Sequence, residues 1–517
     1  TLSVSIFVDH DDRRAEGGAL GRIDFRYIDS HQSKSKGVGS RQVSKLIVNQ
    51  SCFLNPLKHI PGPWHTLITH YVLKFHTIRG RRLYYIHSLH ERYGPVVRIS
   101  PYQVAVADPD AFVTIHRIGA RFYKSPFYED FTGPSGIGIG LFSMTDPKRH
   151  AARRKLFARA FTQANIRQNC EPVVREKVMK AVGKIKAEAS RASSDILHWW
   201  LLMASDVIGQ LSFGESFELL ETGKKNEFVE TLHLTGLSTF LNYEFPLLYA
   251  VSRYIPIASV QWLLNAAASI RGYGGRAVEN LRKHRENKSN IFAAALAECE
   301  ADEKGNLTDE DVKIEAGNFI LAGADTTAIT LTYLVWAVLK KPELQARLEA
   351  EVAAIDEDSV FNDASLEKLA LLNAVIEETL RLYGSVAGNL PRVVPPKGAM
   401  FGRYHIPGGL EVETQAYTLH RDPNVYPRPL EFDEQRWFDP ATSTFQQNSN
   451  SCAFGAGTRV CIGVHLARME LRMAAAALFH QCPGLKLSSS MTDSMMEMEN
   501  YFTIAPIGHR CEVTLVQ

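Results

Sequence analysis

Phe454-Gly455-Ala456-Gly457-Thr458-Arg459-Val460-Cys461-Ile462-Gly463 runs directly into Val464-His465-Leu466-Ala467-Arg468, which reads as the start of a helix. Glycine has no Cβ, so a loop this rich in it can turn tightly and press its backbone against a flat ligand. The loop sets Cys461 just before a helix N-terminus. There the unpaired amides and the dipole are expected to lower the thiol pKa and stabilise the thiolate, which is a strong metal ligand. Arg459, two residues before the sulfur, is placed to pair with a carboxylate on whatever that sulfur holds. A lone cysteine is more often a small buried hydrophobe, but the frame of glycines and arginine here favours a ligand.

A long helix is expected from about Thr308 to Lys340. Thr308 with Asp311 makes a capping box, Lys340-Lys341 suit the negative end of the dipole, and Pro342 stops the helix. At 1.5 Å per residue its ~32 residues reach roughly 48 Å, enough to cross a large domain. Phe319 to Leu339 carries a single charge, Asp325, and by length would pass for a transmembrane span. The acid, the threonines around it and the charged start at Asp309-Glu310-Asp311 favour a buried central helix instead. Midway, Ala322-Gly323-Ala324-Asp325-Thr326-Thr327 sets an acid beside a hydroxyl, suited to delivering protons in a dry cavity. Gly323 leaves room for something broad to approach. The plainer alternative is that the threonines only bond back to their own helix.

Three further groupings bear on the same ligand. His150 and Arg154 are four apart on a basic helix from Pro147 to about Phe161, so they share a face. Glu378 and Arg381 share a face of a helix from about Leu371 to Tyr383, and Arg436 follows in Phe432-Asp433-Glu434-Gln435-Arg436-Trp437. Arg392 lies in Leu390-Pro391-Arg392-Val393. Taken alone, each is equally open to reading as a solvated charged face.

The cysteine stretch resembles the haem-binding loop of the cytochrome P-450 superfamily, Phe-x-x-Gly-x-Arg-x-Cys-x-Gly, at every fixed position. The resemblance extends over about residues 55 to 515. It implies a mainly α fold with a small β region, a single large domain with a long central helix, and haem b (iron protoporphyrin IX) as cofactor. By resemblance Cys461 is the axial iron ligand, with Phe454, Gly455 and Gly463 framing it against the ring. Arg459, His150, Arg154 and Arg392 are then propionate contacts, and Gly323 gives the ring room on the central helix. Asp325 is the proton-relay acid and Thr326 the hydroxyl that stabilises activated oxygen. Glu378, Arg381 and Arg436 form a buried structural network, although Glu434-Gln435 replaces the commoner Pro-Glu before that arginine. A thiolate ligand pushes electron density onto iron and favours O–O cleavage, an effect for which this family is the standard example, so a monooxygenase is implied.

Arg121-Phe122-Tyr123-Lys124-Ser125 and Asp146-Pro147-Lys148-Arg149-His150 look like filamentous-fungal members of secondary metabolism. They imply an apolar small-molecule substrate and NADPH delivered through a partner reductase, because no dinucleotide or flavin fingerprint is present here. Lys148, Arg149, Arg153, Lys155 and Arg159 are expected to form a positive patch for an acidic donor. Substrate contacts are expected from 125–145, 200–260, Phe319–Ala324 and Ser385–Leu390. Thr239 to Ile257 reads either as a pocket roof or membrane-dipping surface, or as ordinary core.

Composition sets the outer bounds. The chain has 517 residues, 45% of them apolar, and a net charge of +2, so no basic excess points to nucleic acid. Seven scattered cysteines with no CxxC pair argue against a disulfide framework. Residues 1–54 are expected to be a poorly ordered tail and 55–517 the catalytic domain. No membrane anchor is visible near the start, and the family implies the cytoplasmic face of the endoplasmic reticulum. Two other functions fit the same loop: a haem-thiolate isomerase or dehydratase acting on peroxides, and a non-catalytic haem protein.

Overall fold

The computed structural model describes residues 4–6, 25–27, 55–132, 138–224, 227–283, 290–301, 307–356, 362–438 and 451–515. The chain divides into two units at the boundary between Leu54 and Asn55. In the first, Val4–Ile6 pairs antiparallel with Phe25–Tyr27; the rest of the expected tail lies outside the described residues.

The second unit is built around the helix Asp309–Leu339. Its start is the expected capping box: Thr308 Oγ1 accepts from the Asp311 amide at 3.1 Å, and the Asp311 carboxylate accepts from the Thr308 amide at 3.0 Å. Pro342 opens the next helix, Pro342–Ala353, where a missing N–H does no harm. The central helix packs against Ile196–Phe213, Ala258–Lys283, Ala370–Tyr383 and Val464–Gln481. Two-thirds of its most apolar window (67%) is covered by protein. Length and hydropathy would permit a span, but its apolar side chains already have partners, so it is the core helix.

The β region is small. Val96–Ser100, Gln103–Val106, Glu411–Glu413, Arg392–Val393 and Tyr123–Lys124 form one five-stranded sheet in that order. Its pairs are antiparallel except Glu411–Glu413 with Gln103–Val106. The last pair places Lys124 directly opposite Arg392. Two cations facing each other across strands repel, so this sheet end needs an anion.

The stretch 125–145, expected to contact substrate, contains a short helix, Phe127–Thr132; residues 133–137 lie outside the described residues. The basic helix ends at Ala158 rather than Phe161.

Candidate functional site

The cysteine loop is held by its own backbone. The Cys461 amide donates to Phe454 O at 2.8 Å, Gly455 to Cys452 O at 3.2 Å and Val460 to Gly457 O at 3.2 Å. Gly457 has φ +62°, and a Cβ there would stand 1.8 Å from His116 O. Only glycine lets the loop lie against the end of the helix Pro109–His116.

Sulfur electrostatics differ from expectation. Burial raises the Cys461 thiol pKa, and the Gly463 amide and the Arg154 cation, which pull it down, do not overcome that. Desolvation outweighs the helix terminus here. Yet the Cys461 side chain presents accessible surface. Accessible area within surroundings dense enough to desolvate a thiol means that the sulfur faces an interior space. On the central helix, Ala322 stands open, with Asp325 and Thr326 half-buried. Phe161 links the two sides: it lies 4.0 Å from where a Gly463 Cβ would be, and its ring is 5.6 Å from that of Phe319.

On the central helix the Thr326 hydroxyl donates to Ala322 O at 2.7 Å. The plainer back-bonding alternative therefore describes this hydroxyl's hydrogen, while its lone pairs stay available as acceptors. Gly323 plays a different part from the one expected. A Cβ on it would lie 3.1 Å from Ile208 Cγ1, so its missing side chain lets the helix Ile196–Phe213 approach. Ala322 is the open position.

Beside this space lies a buried group of basic side chains. His150 is buried, not solvated, and its pKa falls to about 3 through desolvation, then Arg459, Arg154 and Lys124. Arg459 falls to about 10 through burial and then Arg392. Lys124 is pushed well below the usual lysine range by burial, Arg392 and Arg459. Arg459 donates to the carbonyls of Met144 (2.6 Å) and Thr145 (3.3 Å), Arg154 to Val460 O (2.9 Å), and Arg392 to the Tyr128 hydroxyl (3.1 Å). Lys124 Nζ bonds Phe142 O and sits 3.8 Å from the Tyr128 ring centroid. Among the described residues, these basic groups have carbonyl and phenol partners, and Asp146 is a carboxylate that acts on Arg459. Buried positive charge of this density is unfavourable unless an anion joins it. A planar ligand carrying two carboxylates fits the site. Its iron would be taken by Cys461 and its acid groups by Arg459, His150, Arg154 and Arg392.

The structural network forms as the motif implied. Glu378 and Arg381 are fully buried in a two-pronged pair (2.8 and 2.7 Å), and Arg436 Nε reaches the same carboxylate at 3.1 Å. Arg381 also holds the carbonyls of His420 and Pro429 at 2.7 Å, and Glu431 at 3.0 Å. Trp437 donates to Glu378 at 3.1 Å. Trp437 and Phe438 share a groove of about 550 Å³ with Phe454, Gly455 and Val460, which is how the network meets the cysteine loop. The unusual Glu434 is not idle: it pairs with Arg347 at 2.7 Å.

One expectation about charge fails in part. Arg153 leaves the positive patch and turns inward, to Asp311 (2.5 Å) and buried Glu315 (3.1 Å). Lys148, Arg149, Lys155 and Arg159 remain exposed. Sequence reasoning did not single out Lys124 or Phe502, which stacks on Phe131 (5.5 Å) and meets Phe142 edge-on (5.5 Å), both within the stretch 125–145 expected to contact substrate. No local motif marks these residues; only the tertiary fold joins them.

A family model described as Cytochrome P450 matches residues 60–507. The chain is 42% identical over 466 residues to "Cytochrome P450 monooxygenase tazI" of Aspergillus terreus, covering 89% of this chain and 94% of that protein. It is 39% identical over 497 residues to "Cytochrome P450 monooxygenase stcB" of Emericella nidulans, covering 95% and 94%. Among solved structures, a cytochrome P450DA heme domain superposes with a TM-score of 0.75 at 19% identity, over 89% of this chain and 98% of that one.

Proposed function

The chain belongs to the cytochrome P450 family, and from that premise we propose how this haem-dependent monooxygenase works and where it acts. In this reading Cys461 would hold the iron of haem b, and electrons from NADPH would arrive through a separate reductase. It inserts one oxygen atom of O2 into an apolar small molecule of fungal secondary metabolism. The observation that carries it is the pairing of an accessible sulfur inside the core with a buried cation cluster short of carboxylates.

When bound, the haem supplies oxygen activation, and thiolate donation favours O–O cleavage. The protein does the rest. Arg459, His150, Arg154 and Arg392 would hold the ring's acid groups, which would offset the repulsion among the arginines. The Gly463 amide and Arg154 support negative charge on the sulfur. Thr326, its hydrogen given to Ala322 O, presents lone pairs to the interior space, and Asp325 beside it passes protons inward from the polar side. Phe131, Phe142 and Phe502 offer flat apolar surfaces to a substrate and keep water out. The Asp325–Thr326 pair favours this reading over a peroxide isomerase, which has no use for a proton relay.

Incubation with a fungal reductase, NADPH and a metabolite extract should give oxygen uptake and a product one oxygen heavier. Uptake that never exceeds the reductase blank, with every extract tried, would support a non-catalytic haem protein instead. The exposed Lys148, Arg149, Lys155 and Arg159 suit an acidic reductase face.

A membrane surface is the second proposed partner, on the cytoplasmic face of the endoplasmic reticulum. Leu247 (84%), Leu248 (65%), Val251 (61%) and Tyr254 (87%) are exposed, which ordinary core packing does not explain. Lys74 bonds Glu244 and lies 5.0 Å over the Phe245 ring, so exposed Tyr71 and Phe75 adjoin them. Apolar area of this kind dips into a lipid interface. Leu247→Asp with Leu248→Asp should cut co-sedimentation with phospholipid vesicles by about tenfold, the effect of losing ~1.4 kcal/mol of apolar insertion. Unchanged sedimentation would remove this face from the proposal.

A further inference from the structure

We infer that Glu315 is a positioning residue for substrate selection: its carboxylate pins the loop 138–145 to the central helix and so fixes the Phe142 ring against which a flat aromatic substrate lies. This deepens the haem-thiolate reading above and rests on it.

No sequence motif marks Glu315. It lies in the first half of the helix Asp309–Leu339 and is fully buried. A carboxylate only accepts, so a buried one must find its donors on other groups. Here they come from two directions. The Leu141 amide donates to both oxygens, at 2.9 and 3.0 Å. The Arg153 guanidinium holds one of those oxygens at 3.1 Å and, with its other prong, Asp311 at 2.5 Å. Asp311 and Glu315 are one turn apart on their helix. The fork bridges them and keeps the Glu315 carboxylate from swinging away from the loop.

The loop is built to be held this closely. A Cβ on Gly140 would stand 2.5 Å from Asn318 Nδ2 and 2.8 Å from Glu315 Oε2, and one on Gly138, where φ is +119°, 2.9 Å from Ile314 Cδ1. Asn318 is not free to yield, because its amide donates to Ile314 O at 2.9 Å. Bare backbone therefore lies on the helix face of Ile314, Glu315 and Asn318. From there the chain closes a turn: the Ser143 and Met144 amides donate to Gly140 O at 3.0 and 2.9 Å. Next, the Thr145 amide donates to Glu129 at 2.9 Å, on the short helix that carries Phe131. Phe142 sits between these two anchors. Its ring meets Phe502 at 5.5 Å, and Phe502 stacks on Phe131 at the same distance. An acid on the central helix thus sets the place of an aromatic surface that belongs to another part of the chain.

The test titrates the haem-loaded full chain with imidazole and with 1-phenylimidazole, each followed by the shift of the Soret band. Both probes bind iron through an imidazole nitrogen, and only the second lays a phenyl ring against the wall. The parent should prefer 1-phenylimidazole. Glu315→Val should lower that preference about 3- to 10-fold, the scale of one aromatic contact, and leave the affinity for imidazole within about twofold of the parent. Gly140→Ala leaves the acid and Arg153 in place, pushes the turn off the helix and should do the same. Glu315→Gln keeps a carbonyl oxygen for the Leu141 amide and should retain most of the parent's preference. Hydrogen exchange gives a readout independent of iron: amides in 138–145 should exchange about tenfold faster in Glu315→Val and Gly140→Ala, as loss of one bond to a charged group predicts, and near the parent rate in Glu315→Gln. If Glu315→Val does not fold, the other two variants carry the test. The proposal is overturned if the parent binds both probes alike, if Glu315→Val weakens both equally, if Gly140→Ala keeps the parent's preference, or if Glu315→Gln loses it. A haem-loaded parent whose Soret band responds to neither probe would sink the haem-thiolate reading instead, and hydrogen exchange would still report on the Glu315 anchor.

Discussion

Cys461→Ser should lower NADPH-driven product formation by about 10³-fold or more, the scale on which a chemistry-bearing group is lost, with little change in folding. Sulfur and oxygen are near-isosteric. The Cys461 side chain is accessible, so no tight core contact depends on it. The loop is held by the amides of Cys461, Gly455 and Val460 and by Gly457 against His116 O, none of which needs the sulfur. What changes is the ligand: a serine hydroxyl is hard and, inside this desolvated site, stays neutral. Product formation and thermal melting measured side by side check this. Turnover within tenfold of the parent would mean that the chemistry runs on another group.

Glu378→Ala should cost about 3–5 kcal/mol, the usual effect of leaving buried charge without its partner. Arg381 and Arg436 would then stand buried without the carboxylate that both of them contact most closely. The loss spreads, because Glu378 also accepts from the Asp433 amide at 2.8 Å and from Trp437, the residue leading to the cysteine loop. Denaturant midpoints and haem retention should therefore fall together. Arg381→Lys should land between parent and Glu378→Ala, since lysine keeps the charge and loses the fork to the carboxylate and three carbonyls. A Glu378→Ala protein within about 1 kcal/mol of the parent, well below the energies such pairs usually carry, would mean that the network does not support the loop.

What could be read along the chain was local. Thr308 and Asp311 announce a helix start through side chains three residues apart. The glycine–arginine frame of Cys461 and the Glu378–Arg381 spacing are local in the same sense. What escaped needs distance. Lys124 meets Arg392 only through sheet pairing. Phe502 reaches Phe131 only once the C-terminal hairpin folds back. Direction was also hidden. Arg153 looks like one more surface cation until Asp311 and Glu315 are placed beside it. The helix terminus argued for an acidic Cys461 thiol, but the amount of protein around the sulfur, which no short motif encodes, pushes it the other way. Were Cys461 to hold an iron, that ion's positive charge, and not the helix alone, would be what kept the sulfur anionic.

The most direct measurement is the Soret band of the haem-loaded, reduced chain under carbon monoxide. An anionic sulfur on iron shifts that band strongly to the red of its position with imidazole or water opposite, and the shift should vanish in Cys461→Ser. A band at the imidazole-type position in the freshly folded parent protein, or a red-shifted band that survives Cys461→Ser, would contradict the assignment.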